Sequence, residues 1–429
     1  MRYHTQRGAP HNPDMPPGQG WCFDPTGATL TFHSGGVAMR LVKRVLAVLL
    51  AFVVVAVGAF LAIAPGYVER SRNEVVPHDP YPVSDTARAL HNTLMVGDWH
   101  ADSLLWQRDI SKRATRGHVD LPRLIEGGVA LQVFSAVTKS PAGQNYSSNS
   151  ADTFDNITPL AIGQLWPPRT WDSLLERAVY QAERLHRVAK RAPDRLSVIT
   201  SRADLEAHLD MRANGGTAVG GLLGIEGAHA LEGEIANMEQ LEAAGHRVIG
   251  LHHFFDNELG GSLHGVSGEG LTEFGRAVVR EIEARGMVLD LAHSHANVAR
   301  DVIAMTDMPV IVSHTGLHGF CPVQRNFEDE VMIAVAQTGG VIGLGYWGSI
   351  LCRDATPDAI AAMIVQAVDT VGADHVSLGS DFDGSVKTAF DTSELPALTH
   401  ALTAAGLDDD TIAKVMGGNM IRVLRARLN

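Results

Sequence analysis

Short apolar runs alternate with segments of helical periodicity from about residue 90 to the end of the chain. This alternation is typical of parallel β/α units, in which each strand is followed by a helix. The helical segments include LTEFGRAVVREIEARG, SHANVARDVIAM and PDAIAAMIVQAVDTVG. We therefore predict an α/β fold, a (β/α)8 TIM-type barrel, over residues 90–429. Its eight strands are predicted at residues 93–96, 130–134, 221–225, 248–251, 287–291, 310–312, 341–344 and 375–378.

An open, doubly wound sheet is the alternative fold for the same alternation. That fold would place a glycine-rich phosphate turn after the first strand, whereas this chain has DWHADSLLW there. A barrel of about 340 residues is larger than the roughly 250 that are typical, and the surplus falls mainly at residues 136–215. We expect a polar loop in that stretch, followed by a helix with the sequence WDSLLERAVYQAERLHRVAKR.

The segment before the barrel divides into a polar part and an apolar part. Residues 1–38 are rich in glycine and proline and show no regular period, so we expect disorder there, and Met39 is a candidate for the true start. Residues 39–70 are predicted to be a signal anchor or transmembrane segment, because basic residues precede an uncharged run at 45–64. At about 1.5 Å per residue, this run spans roughly the 30 Å hydrocarbon core of a membrane.

Cleavage of the apolar segment is the main alternative to a retained anchor. Ala62-Ile63-Ala64 matches the A-x-A pattern of a signal cleavage site, but the apolar run exceeds a usual signal core and Pro65 would follow the cut. A buried core helix is a further alternative, although a basic flank on one side and a Pro65-Gly66 break on the other fit export better. Since the basic flank stays on the inner side, we expect the barrel outside the cytoplasm.

Composition and cysteine usage narrow the function further. With 45% hydrophobic and 19% charged residues the 429-residue chain has ordinary globular composition. Its net charge of −13, without a Lys/Arg-rich face, argues against a nucleic acid partner.

Cys22, Cys321 and Cys352 show no CxxC spacing, so a metal would be held by histidine and carboxylate. Cys321 and Cys352 follow neighbouring strands, and we predict a disulfide between them in an oxidising compartment, with two buried reduced cysteines as the alternative.

Residue types that bind metals follow several predicted strands, at the end of the barrel where active sites lie. His100 and Asp102 come after the first strand and share one face of an extended segment. Glu226 follows the third strand. Each residue alone could be structural, but the full set offers enough ligands for two divalent cations. The fourth, fifth, sixth and eighth strands end in further members of this set: His252, His253, Asp290, His293, His314, Asp381 and Asp383.

Imidazole and oxygen ligands without thiolate favour zinc, so we predict two Zn2+ ions per chain, with manganese or cobalt as substitutes. Glu226 is the best placed carboxylate to bridge the two ions, which would also hold a bridging hydroxide as the nucleophile. Asp381 could then take the proton and pass it to the leaving amine. The predicted catalytic residues are thus Glu226 and Asp381, and the predicted metal ligands are His100, Asp102, Glu226, His293 and His314.

Nine motifs occur in order along the barrel region: DWHADSLLW, GHVDLPRLIEGGVALQVFS, GIEGAHAL, LHHFFDNELGGS, GMVLDLAHSH, VSHTGLHGFCPVQRN, GGVIGLG, SLGSDFDG and GGNMIRVL. From about residue 92 to 425 they resemble the membrane (renal) dipeptidase family of the amidohydrolase superfamily. The resemblance implies a two-zinc barrel with the ligands given above. It also implies that His253 contacts the scissile carbonyl, that Arg325 holds the substrate carboxylate and that Asp381 carries the proton. Ala101 stands where family members often have Asn, a change that touches no ligand.

We therefore predict a zinc-dependent dipeptidase outside the cytoplasm, with a dipeptide substrate and a membrane attachment through the N-terminal segment. A homodimer is compatible with this prediction. Another amide or lactone hydrolase on the same centre is the alternative, because fold and metals do not fix the acyl group. Arg325 favours a dipeptide, since a lactone has no carboxylate to bind. A membrane-tethered binding protein is a third hypothesis, against which the complete ligand set speaks.

The remaining polar residues of these motifs are expected to have supporting roles. Asp98, two residues before His100, is a candidate for orienting a ligand, and Asp383 is expected to be structural. The glycine-rich segment at residues 260–270 is either a lid over the substrate or a turn-rich connection. Six histidines are not expected to bind metal: His229, His246, His252, His264, His295 and His318.

Overall fold

The structure, a computed structural model, describes residues 35–429, with side chains from residue 39 onward. The predicted disorder at residues 1–38 concerns a segment that lies almost wholly outside the described residues, as does Cys22. The chain divides after Gly58 into two compact units, of which the larger, Ala59–Asn429, contains the barrel. The domain limits expected at residues 38, 70 and 90 stay predictions.

The apolar segment forms one long helix, α1 (Gly35–Arg72). Its portion Met39–Arg72 reaches a mean hydropathy of 3.0, so by length and composition it could cross a membrane or act as a signal. Pro65-Gly66, where we expected a break, lie inside the helix. An interior proline removes one backbone hydrogen bond, and the burial of later residues of α1 against the larger unit compensates for that loss.

Strands and helices alternate through the larger unit, as the sequence pattern indicates. The strands are β1 (Val96–Ala101), β2 (Val129–Val137), β3 (Leu196–Val198), β4 (Val219–Glu226), β5 (His246–Gly250), β6 (Val288–Asp290), β7 (Ile311–Thr315), β8 (Val341–Leu344) and β9 (Val376–Leu378). The helices after α1 are α2 (Asp85–His91), α3 (Leu121–Glu126), α4 (Ile157–Gly163), α5 (Arg169–Asp172), α6 (Leu174–Arg191), α7 (Arg202–Ala213), α8 (Asn237–Ala244), α9 (Glu273–Ala284), α10 (Ala296–Met305), α11 (Asp329–Gln337), α12 (Gly348–Leu351), α13 (Pro357–Val371), α14 (Leu395–Ala404), α15 (Asp409–Ala413) and α16 (Asn419–Arg427).

Eight of these strands close a parallel barrel. They pair in the order β1, β2, β4, β5, β6, β7, β8 and β9, and β9 pairs with β1 to complete the circle. Between β2 and β4 the register is unbroken from Leu131 opposite Gly220 to Val137 opposite Glu226. The predicted (β/α)8 TIM-type barrel is therefore confirmed.

Two strands differ from the prediction for physical reasons. The first strand was predicted at residues 93–96 but occupies Val96–Ala101. The prediction was misplaced because the polar residues Asp98 and His100 interrupt the apolar pattern of the strand. The additional strand β3 pairs with the first residues of β4, while β5 pairs with the last ones. With only three residues, β3 is too short to show a period in the sequence.

The C-terminal helix α16 closes one end of the barrel. Val288, Ile311 and Val341, at or near the beginnings of their strands, are buried in one cluster with Met420 and Leu424 of α16. This apolar packing fills the amino ends of the strands. The carboxyl ends are left to carry polar side chains.

Cys321 and Cys352 form a disulfide with their Cα atoms 5.6 Å apart, which confirms the predicted pairing. The bond joins the loops that follow β7 and β8. The side-chain amide of Asn326 supports the same junction, because it donates to the carbonyl oxygens of Cys321 at 2.8 Å and Ile350 at 2.9 Å. Arg325 therefore lies in a loop that is fixed to its neighbour covalently and by hydrogen bonds.

Replacing both cysteines, in Cys321→Ser/Cys352→Ser, is expected to lower the free energy of unfolding by about 3 kcal/mol, because the bond closes a loop with a sequence separation of 31 residues. Urea unfolding of the unreduced proteins measures the difference. Thiol titration in a Cys22→Ser background is the control, and it should find no free thiol while the disulfide is intact. Two free thiols, or equal stability of both proteins, would contradict the prediction.

Candidate metal centre and active site

The carboxyl ends of the barrel strands carry a buried cluster of histidine and carboxylate side chains. His100 lies in β1, and Asp102 follows that strand directly. Glu226 is the last residue of β4, His293 follows β6, and His314 lies in β7. These five residues, the predicted metal ligands, are each at most 5% exposed. The barrel thus brings together side chains that are more than 200 residues apart in sequence.

Glu226 lies at the centre of the cluster. Its Oε1 is 3.1 Å from Nε2 of His293, 3.4 Å from Nε2 of His314 and 3.7 Å from Nε2 of His100. Its second oxygen, Oε2, is 3.4 Å from Nε2 of His253. One carboxylate therefore faces four imidazole nitrogens, with each oxygen directed at a different part of the cluster.

The donor atoms of the cluster fit a divalent cation. His100 Nε2 and Asp102 Oδ1, 3.3 Å apart, and also His293 Nδ1, are buried without a hydrogen-bond partner among the described residues. Buried polar atoms without partners are costly, and cation binding would satisfy the first two. Glu226 belongs to two of the three sets whose ligand atoms lie within 4.8 Å of one another. The sets are His100, Glu226 and His314; Glu226, His253 and His293; and His100, Asp102 and Asp381.

Burial shifts the protonation of these groups toward their neutral forms. It raises the pKa of Glu226 well above its ordinary value, and the nearby carboxylate of Asp102 raises it further. Burial also raises the pKa of Asp381 to about 8. The imidazoles of His293 and His314 have a pKa well below the ordinary value for the same reason. A bound divalent cation would favour ionised carboxylates and neutral imidazoles, the forms that bind metals.

Two buried aspartates fix the backbone that carries the cluster. Asp98 Oδ1 accepts hydrogen bonds from the amides of His100 at 3.1 Å and Ser380 at 3.0 Å. Asp290 Oδ1 likewise accepts from Ala292 at 2.9 Å and Ser313 at 2.8 Å. Asp98 thus acts on His100 through the backbone. The role of Asp290 was not predicted. The sequence signal is the same for both aspartates, since each accepts a hydrogen bond from the amide two residues later in the chain.

The backbone is left-handed at two residues of the site, His293 with φ 62° and Asp381 with φ 58°. For residues other than glycine this conformation costs of order 1–3 kcal/mol and occurs mainly where surrounding contacts impose it. Both residues stand directly after short strands of the barrel. The conformation sets the direction in which their side chains leave the chain.

Arg325 is buried beside the cluster, with 1% of its surface exposed. Its Nη2 donates to the carbonyl oxygen of His314 at 3.1 Å and lies 3.4 Å from Nε2 of His293. The guanidinium lies over the ring of Trp347, 5.4 Å from its centroid. Nη1 has no hydrogen-bond partner within the part of the chain that the structure describes. A buried cationic donor is thus left free to bind an anionic group in the pocket.

His253 has a fixed tautomer in its neutral form. Its Nδ1 lies 3.0 Å from the carbonyl oxygen of Lys139, so the proton of the neutral ring is on Nδ1 and a lone pair is on Nε2. Burial lowers the pKa of His253 to about 4. Nε2 therefore accepts a hydrogen bond or binds a cation, and it can donate to a substrate carbonyl only when the ring is an imidazolium.

The cluster opens into a pocket of about 720 Å³. Six predicted site residues line it: Asp102, Glu226, His253, His293, Arg325 and Asp381. Sequence reasoning missed other lining residues, among them Trp106 and Tyr146 from loops and Leu61 and Val68 from α1. No signal in the sequence connects α1 with the site, because contact between them depends on how the chain packs.

Asp383 lies next to the site but is occupied by structural contacts. It forms a buried ion pair with Arg108 and accepts hydrogen bonds from Ser103 Oγ and from the amide of His118, both at 2.7 Å. The glycine-rich segment is similarly tied down, since Asp256 accepts hydrogen bonds from the amides of three of its residues. These bonds favour a turn-rich connection over a lid.

The six histidines that were not expected to bind metal remain outside the three sets of candidate ligands among the described residues. Four have one ring nitrogen paired within the protein, although Nδ1 of His229 and Nε2 of His252 and His264 have no hydrogen-bond partner among the described residues. His229 pairs with Thr138, His246 with the carbonyl of Gly224, His252 with Ser294 and His264 with the carbonyl of Tyr146.

Comparison with known proteins connects this geometry to a family. Dipeptidase aclJ of Aspergillus oryzae is 29% identical over 351 residues, which cover 76% of this chain and 76% of that protein. Dipeptidase tcpJ of Claviceps purpurea is 28% identical over 323 residues, 72% of this chain and 69% of that protein. A metallopeptidase from Rhodobacter sphaeroides, solved with a phosphinate mimic of the dipeptide L-Ala-D-Ala, is 25% identical with a TM-score of 0.63, and the match covers 78% of this chain and 99% of that one.

The family match covers nearly all of the barrel. Residues 84–428 match the family described as membrane dipeptidase, peptidase family M19. The matched region begins before β1 and ends within two residues of the C-terminus, so it includes every residue of the cluster and Arg325. The resemblance found in the nine motifs is confirmed, and the chain belongs to the membrane dipeptidase family, M19.

Proposed function

We propose that this protein is a two-zinc dipeptidase that acts outside the cytoplasm. The observation that carries the proposal is the presence, in one pocket, of a Glu226-centred ligand cluster and a buried guanidinium with an unpaired donor. The first suits hydrolysis assisted by metal ions, and the second suits a substrate with a free carboxylate. Membership of the M19 family and the names of its relatives support the same activity.

Zinc is the metal that this donor set favours, since it combines imidazole and carboxylate without thiolate. His100 and Asp102 would hold one ion, His293 and His314 the other, and Glu226 would bind both. When bound, such a pair supplies Lewis acidity to the scissile carbonyl and to the attacking water.

The protein's own residues would position the dipeptide and move the proton. Arg325 would bind the terminal carboxylate through Nη1, which places the peptide bond over the cluster. Asp381 would accept the proton of the attacking water and deliver it to the leaving amine, and its raised pKa suits a group that must hold a proton for part of the cycle. His253 would contact the substrate at the scissile carbonyl, and because its pKa is lowered to about 4 it would donate a hydrogen bond to the carbonyl oxygen only if the bound substrate raised that pKa enough to protonate the ring.

Two features support a location outside the cytoplasm. The Cys321–Cys352 bond is of a kind that persists in oxidising compartments. Helix α1 is long and apolar enough to hold the protein in a membrane, with Arg40, Lys43 and Arg44, which precede the apolar run, on the inner side.

Arg325→Lys tests the substrate class. The change keeps the charge but loses the planar pair of donors, so we expect at least about a tenfold loss in kcat/KM on a free dipeptide, with unchanged zinc content. The same variant should lose much less on the corresponding dipeptide amide, which has no carboxylate to bind. Steady-state kinetics on both substrates, together with metal analysis, measure these effects.

The matched control is Arg353→Lys, because Arg353 lies over the ring of Phe320, does not line the pocket, and should leave both activities unchanged. Equal losses on dipeptide and amide for Arg325→Lys, or no loss on either, would show that Arg325 does not bind the carboxylate. The alternative of a more general amide or lactone hydrolase would then be preferred.

A further inference from the structure

The last turns of α1 are partly buried against the barrel. Exposure is high along the helix up to Phe60, whereas Leu61 and Ala64 are half-buried, Pro65 is buried and Glu69 is fully buried. Spacings of three and four residues place these positions on one face of a helix. The opposite face stays exposed. This end of α1 is therefore a packed element of the larger unit.

Buried polar contacts fix that end of the helix to the loops after β1 and β9. The Glu69 carboxylate pairs with Arg108 and also with Arg116, at 2.6 Å from its Nε. Arg108 pairs in turn with Asp383, two residues after Asp381. One turn further, Asn73 Oδ1 accepts the amide of Ser385 at 2.8 Å. Separating the partners of a buried ion pair leaves an uncompensated charge, which is strongly destabilising. These pairs therefore hold the helix in one position.

The same face of α1 lines the substrate pocket. Six residues of α1 border the cavity that also contains Glu226 and Arg325: Phe60, Leu61, Ala64, Pro65, Val68 and Arg72. All but Arg72 have apolar side chains, which supply no group that could take part in hydrolysis. What they can do is contact an apolar part of a bound molecule.

We infer that the end of α1 is a specificity-determining wall of the active site, which selects dipeptides with a large apolar side chain. The inference rests on the proposed dipeptidase function and names its substrate class. It also requires that α1 is retained through Ala64, because cleavage after Ala62-Ile63-Ala64 would remove Phe60, Leu61 and Ala64 from the pocket. A segment with the composition of a membrane anchor thus also forms part of the catalytic unit.

The test uses the full-length protein and the double variant Leu61→Ala/Val68→Ala. Ala-Ala is the small reference substrate, and Leu-Ala, Ala-Leu, Phe-Ala and Ala-Phe place a large side chain at either position. We expect at least about a fivefold loss of kcat/KM on the substrates with a large side chain at one of the two positions, and a much smaller loss on Ala-Ala. Equal losses on all substrates, or none, would overturn the inference. A wild-type protein that hydrolyses no dipeptide would instead overturn the proposed function.

The matched control is Ile63→Ala/Tyr67→Ala, on the exposed face of the same turns, where the side chains are 68% and 72% exposed. It should leave the whole substrate profile unchanged. A second variant, Ala64→Leu, adds bulk to the wall without removing a contact, and it should lower kcat/KM on the large substrates more than on Ala-Ala. A profile for Ala64→Leu that matches the wild type would contradict the inference even if the double variant fails to fold.

N-terminal sequencing of the mature protein gives a readout that does not depend on activity. We expect an N-terminus upstream of Phe60. A mature chain that begins at Pro65 would lack most of the proposed wall and would refute the inference directly.

Discussion

Glu226→Gln is expected to lower both bound zinc and turnover, the latter by at least about 100-fold. The amide keeps the shape of the side chain but removes the negative charge, and Glu226 belongs to two of the three candidate ligand sets. Its Oε1 also lies within 3.7 Å of Nε2 of His100, His293 and His314, so one substitution is expected to weaken both proposed metal positions. Elemental analysis of the purified variant and kcat on a dipeptide measure the two effects.

Glu234→Gln is the matched control, since Glu234 is an exposed glutamate of the loop after β4. It should keep the full metal content and activity. A Glu226→Gln protein with two zinc ions per chain and normal turnover would refute the bridging role. Loss of only one ion would indicate that Glu226 binds a single metal.

Asp381→Asn is expected to lower kcat by about 10²- to 10⁴-fold while the metal content stays unchanged, because an amide cannot carry the proton. Asp381 also belongs to one candidate ligand set, with His100 and Asp102, and its Oδ1 is 4.0 Å from Nε2 of His100, so the metal content of the variant separates proton transfer from metal binding. The measurements are kcat across pH and elemental analysis. Loss of zinc in this variant would make Asp381 a ligand.

Asp383→Asn provides the comparison within the same loop. Its carboxylate pairs with Arg108 and carries no proposed chemical role, so removing the charge should destabilise the fold by about 3 kcal/mol or more. We expect a lower Tm for Asp383→Asn and an almost unchanged Tm for Asp381→Asn. The opposite result would exchange the roles of the two aspartates.

The metal-ligand candidates could be predicted because their signal is local. In a parallel barrel, residues that follow the strands share one end, so an HxD pair after one strand and a glutamate after another must converge. The prediction needed only approximate strand positions. The candidates therefore converge despite an error in β1, where His100 lies within the strand and not after it, and their role as metal ligands stays a prediction.

The missed features depend on contacts that no local pattern encodes. Asp290, whose role was not predicted, binds backbone amides on two different segments, which only the assembled barrel makes neighbours. Asp98 was predicted to orient a ligand, but its bond to the amide of Ser380 likewise depends on the assembled barrel. The neutral tautomer of His253 likewise depends on the carbonyl of Lys139, 114 residues earlier in the chain.

By itself the sequence determined the fold class and the residue types gathered at one end of the barrel, because the hydrophobic period and the order of the strands can be read along the chain. It also placed Cys321 and Cys352 in neighbouring loops, but did not determine their redox state. Only the tertiary structure decided which donor atoms are left without partners, how Arg325 is buried, and that α1 borders the pocket. These three features depend on long-range packing. The apolar helix α1, for example, also packs one face of its last turns against the barrel. A hydrophobic pattern records that such a face can be buried, but not what it will be buried against.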